Sequence, residues 1–74
     1  MNMGSIGYGL VETFNAVSRT AKAEIHFDAF KQRFTVEKFD GDDGFGGLIF
    51  VKQSFASTIE AARDAANLWI EERA

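Results

Sequence analysis

The chain has 74 residues, eleven acidic and eight basic, a formal net charge of -3 and no cysteine. That length allows a single domain, 1–74, with a thin core, because chains of this size bury only about 60 % of the surface their unfolded forms expose. Without cysteine there is no disulfide and no thiolate zinc site, and the acidic balance weighs against a surface made for nucleic-acid phosphates. Eight Phe, one Trp and one Tyr must supply the burial instead, each large ring removing roughly 150–250 Å² from water. The longest apolar run, 45–51, contains two glycines and falls far short of the ~20 residues of a spanning helix. Met1-Asn2-Met3-Gly4-Ser5 has no basic n-region, so no signal peptide is expected and the cytoplasm is the expected compartment.

Residues 1–9, with Gly4, Gly7 and Gly9, read as a flexible arm. Their order, Gly4-Ser5-Ile6-Gly7-Tyr8-Gly9, does not give the G-x-G-x-x-G spacing of a dinucleotide fingerprint. Next, Leu10, Phe14, Val17 and Ala21 recur at near-helical spacing, while Val11, Thr13 and Phe14 favour a strand. The segment is therefore a helix or an extra strand adding to the core. Glu24-Ile25-His26-Phe27-Asp28 alternates with period two, which predicts a strand near 23–28 with Ile25 and Phe27 facing inward. Phe34 to Lys38 repeats the pattern within a second strand near 33–39, and Ala29 to Gln32 is short enough for a hairpin turn between them. A third strand near 48–53 is apolar on both faces, with Leu48 and Phe50 opposite Ile49 and Val51.

At the carboxyl end, Ser57-Thr58-Ile59-Glu60 has the form of a capping box. Ile59, Ala62, Ala66 and Trp69 follow at helical spacing, widened by Ala65 and Leu68, so an amphipathic helix is predicted over 57–72. The fold class is thus α+β: a three-stranded antiparallel sheet packed on one C-terminal amphipathic helix, with the N-terminal segment joining the core.

The most unusual stretch is Asp40-Gly41-Asp42-Asp43-Gly44-Phe45-Gly46-Gly47, which joins the second and third strands. Crowded carboxylates repel one another unless solvated or bound to a cation. Asp40 and Asp42 have the spacing that opens a calcium loop, yet Val51 stands where the bidentate glutamate is required, so no metal is expected there. In a binding role the aspartates would meet a basic partner surface and Phe45 would be an aromatic anchor. His26, the one histidine, should face away from Ile25 and Phe27, beside Glu24 and Asp28. It reads as a partly exposed structural histidine, because no Ser or Cys arrangement pairs with it. A metal or catalytic role would require His26 to meet two or more carboxylates within coordinating distance. No catalytic residue and no cofactor is expected, and the chain is read as a non-enzyme.

Three strands leading through Ser54-Phe55-Ala56 into the alanine-rich helix resemble the AP2-type and integrase arm-binding domains over about residues 23–70. That resemblance implies a sheet face entering the DNA major groove, here bearing Glu24, His26, Asp28, Arg33, Thr35, Glu37, Phe50 and Lys52. Three of these are carboxylates, which repel phosphates and weigh against direct nucleic-acid binding. In size, acidity and lack of cysteine the chain also resembles small inhibitors of phages and mobile elements, including anti-CRISPR proteins. That resemblance implies a non-enzymatic protein that binds a basic surface of a host or defence-system protein and blocks nucleic-acid access. Asp40, Asp42, Asp43, Phe45 and Glu37 would be the contact residues, with Glu60 and Asp64 in support. The DNA-binding module is the alternative, and the two-faced apolar strand leaves room for a homodimer.

Overall fold

A computed structural model describes residues 8–73. Four strands, β1 (Tyr8–Asn15), β2 (Ala21–Asp28), β3 (Arg33–Asp42) and β4 (Leu48–Ala56), precede one helix, α1 (Ile59–Glu71). The sheet is antiparallel in the order β1-β2-β3-β4. Of the two expectations for the N-terminal segment, helix or extra strand, the strand is the one found, and it makes the sheet four-stranded. Its β-prone residues pair along most of β2, from Tyr8 opposite Asp28 to Asn15 opposite Lys22. The near-helical spacing of Leu10, Phe14, Val17 and Ala21 breaks across a turn, where Val17 is 93 % exposed while Ala21 opens β2. Tyr8 and Gly9, expected in an arm, start β1; residues 1–7 of that expected arm lie outside the described residues.

The hairpin turn at 29–32 is as predicted, closed by the pair Asp28–Arg33. Asp28 Oδ1 accepts from the amides of Phe30 and Lys31. The second and third predicted strands extend further, to Asp42 and Ala56. Register shifts on either side of Phe39 mark a bulged end to the β3–β4 ladder. Because a bulge re-aims side chains, Phe50 sits with Phe39 on the face away from the helix, their rings 5.7 Å apart edge to face. Lys52, expected on that same face, pairs instead with Lys38 on the helix side and lies 5.7 Å from the Trp69 ring.

The helix begins one residue later than the capping box predicts. Thr58 is the N-cap, its Oγ1 accepting from Ala61 N at 3.1 Å. Ala62, Ala66 and Trp69 are its buried stripe, and they pack on Ala23, Ile25 and Val36. Alanine on both layers brings the backbones close, so the core is dense but shallow, with Ile25 and Val36 as its largest fully buried side chains. Trp69 closes one end, donating Nε1–H to the Phe39 carbonyl at 3.1 Å under a stacked Arg73 guanidinium. Two long-range ion pairs tie the layers together, Arg63–Glu12 and Arg73–Asp40, each at 2.9 Å. Among the described residues no helix is long and apolar enough to cross a membrane.

Candidate functional site

Two places gather the sequence-predicted residues, and Lys22 borders both. The first is the loop joining β3 to β4. Its aspartates point largely into their own backbone: Asp42 Oδ1 accepts from Gly44 N at 2.7 Å, and Asp43 Oδ1 accepts from Phe45 N at 2.7 Å and Gly47 N at 3.1 Å. Aspartate is suited to such turns because its short side chain reaches the amide two residues on. Gly44 and Gly46 flank Phe45 with φ of 85° and 89°, a conformation glycine adopts without steric cost. The result is a tightly bonded hairpin end with Phe45 94 % exposed. Asp40 stands apart from this loop, since its carboxylate is held by Arg73.

The antiparallel order brings the β1–β2 turn to the same end of the sheet. There Asn15, Val17, Arg19, Lys22, Gly46 and Leu48 line a groove of about 600 Å³. The groove is open and lined by cations, amides and apolar atoms, with neither His26 nor a carboxylate among its lining. Val17 and Phe45 are thus large apolar side chains in water at one end of the molecule, with Asp42 and Asp43 beside them.

The second place is the sheet face away from the helix. Period-two alternation puts Lys22, Glu24 and His26 of β2 on it, and the hairpin register sets Glu37 directly opposite Glu24 and Thr35 opposite His26. His26 Nε2 lies 3.0 Å from Glu24 Oε1 and 3.5 Å from Glu37 Oε1. Both neighbours are acceptors, which favours the tautomer with its proton on Nε2. Lys22 Nζ holds the other oxygen of Glu24, Oε2, at 2.8 Å. The carboxyl of Glu24 is held below its ordinary range: burial alone would raise it, but hydrogen bonds from Lys22 and His26 and their charge outweigh that. Thr35 is buried in the same face, and Arg33 stacks 3.8 Å over the Phe55 ring beyond it.

Glu37, grouped by sequence with the loop aspartates, therefore belongs to the His26 cluster. Alternation along a single strand does not reveal this grouping, although the hairpin register does. Counting back from Asp28–Arg33 across the hairpin places Glu37 opposite Glu24. Compared with known proteins, the chain matches no family model, no curated protein and no solved structure.

Proposed function

We propose that the chain is a non-enzymatic interaction protein of the cytoplasm that docks through its loop end onto a protein surface. The partner offers an apolar pocket in a basic surround, and docking blocks nucleic-acid access to it, as the small inhibitors that the chain resembles do. The observation that carries this reading is the 94 % exposure of Phe45 on a loop fixed by its own aspartates. An aromatic held out into water on a pre-ordered turn costs little further entropy on binding, and such anchors dominate interface energetics. Asp42 and Asp43 supply the negative rim, and Val17 widens the apolar contact. Asp40, paired with Arg73, and Glu37, in the other cluster, contribute less.

The test is affinity capture followed by titration of the captured partner. Phe45→Ala should weaken binding by about 2 kcal/mol or more, roughly 30-fold. Phe30→Ala, at the opposite end of the sheet and also highly exposed, should leave it unchanged. Asp42→Asn with Asp43→Asn keeps the turn acceptors but removes the charge, and should lower both affinity and its salt dependence. Equal binding by wild type and Phe45→Ala would refute the reading.

A further inference from the structure

We infer that Glu24, His26 and Glu37 form a binding site for one divalent first-row transition ion such as Zn²⁺, on the sheet face away from the helix. Among the described residues, these three offer ligand atoms that all lie within 4.8 Å of one another. For ligands about 2.1 Å from an ion, neighbouring ligand atoms stand about 3.0 Å apart in an octahedral shell and about 3.4 Å in a tetrahedral one. The two contacts at His26 Nε2, 3.0 and 3.5 Å, lie close to these lengths, and a small rotation of the two glutamates, whose oxygens are within 4.8 Å of each other, closes a shell around one ion. One imidazole and two carboxylates suit zinc and its first-row neighbours better than the all-oxygen ions calcium and magnesium.

The surroundings fit as well. Like charges at directly opposed strand positions destabilise a sheet, yet Glu24 and Glu37 occupy such a pair in the middle of the β2–β3 ladder. A dication between them neutralises both. Lys22 need not leave, because it binds Oε2 of Glu24 and the oxygen turned toward His26 is Oε1. Its place is that of an outer partner that orients a ligating carboxylate. The ion binds Nε2 of the neutral imidazole, whose single proton then stands on Nδ1. The side chains are half-buried, 14–24 % exposed, which strengthens the hold of the carboxylates on a cation. In a short chain without cysteine, such an ion would staple β2 to β3 where a disulfide cannot.

The test is calorimetric titration of the full chain with ZnCl₂, alongside NMR of the imidazole, which is unambiguous because the chain has one histidine. The expected result is one ion per chain, a shift of the ring resonances, and a melting temperature that rises with Zn²⁺ concentration. His26→Gln and Glu37→Gln should each abolish the binding. The Asp42→Asn, Asp43→Asn variant should bind as wild type does. Folding of each variant is checked by circular dichroism, and the wild-type ring shift needs no variant at all. Absence of a ring shift at millimolar Zn²⁺, or binding that follows the loop aspartates in place of His26, would overturn the proposal.

Discussion

Glu24 shows how much one position on a strand can carry. It accepts from Lys22 and from His26, faces Glu37, and its carboxyl is held below the ordinary value of 4.5. A carboxyl depressed in the folded state favours the fold fully above its unfolded pKa, and that contribution is lost as pH falls through the folded value. The stability of the wild type should therefore decline as pH drops below about 4.5, and Glu24→Gln should flatten that decline while lowering stability at neutral pH. Urea denaturation at a series of pH values reads this directly; parallel curves would show that the Lys22 and His26 contacts do not favour the charged form. The sequence made His26 and its carboxylate neighbours visible through alternation alone. It did not reveal that Glu24 and Glu37 meet at one nitrogen, because side-chain reach depends on register and not on spacing along one strand.

At the scale of elements, the helix cap and the β3–β4 ladder give separate tests. Thr58 Oγ1 makes the capping bond, so Thr58→Ala should cost about 1 kcal/mol, whereas Ser57→Ala should be close to neutral in the same denaturation assay. Both residues suit a cap, and the tetrapeptide does not say which one the chain's entry angle selects. Lys38 and Lys52 face each other on the helix side with Arg73 nearby. Burial first, and then the charge of Lys52, depress Lys38 below its ordinary value; Glu72 opposes this, and Arg73 adds the smallest push downward. A lysine depressed in the fold destabilises it while charged, and stability rises with pH through the folded value. Lys38→Met should raise the denaturation midpoint, by up to about 1 kcal/mol, and an unchanged midpoint would contradict this. Lys38 follows Phe34 and Val36 at period two onto the helix side, but a simple alternation puts Lys52 on the other face, and only the bulge near Phe39 reverses it. Likewise β1 was ambiguous because Phe14 and Val17 satisfy a helical spacing that the turn after Asn15 makes irrelevant.

The whole molecule divides into a helix-covered layer that holds the fold, an exposed loop end, and the half-buried His26 cluster on the opposite sheet face. The core stripe of Ile25, Val36, Ala62, Ala66 and Trp69 was largely legible, since period two and period 3.6 each mark one buried face. The gathering of Val17 with the loop glycines at a single groove was not, because it follows from the fourth strand bringing the β1–β2 turn to the loop end. That end is where the account places function, and a photoreactive phenylalanine analogue tests it. Placed at position 45, it should crosslink the captured partner on irradiation, and placed at position 30 it should not. Adducts from position 30 with none from position 45 would contradict the account.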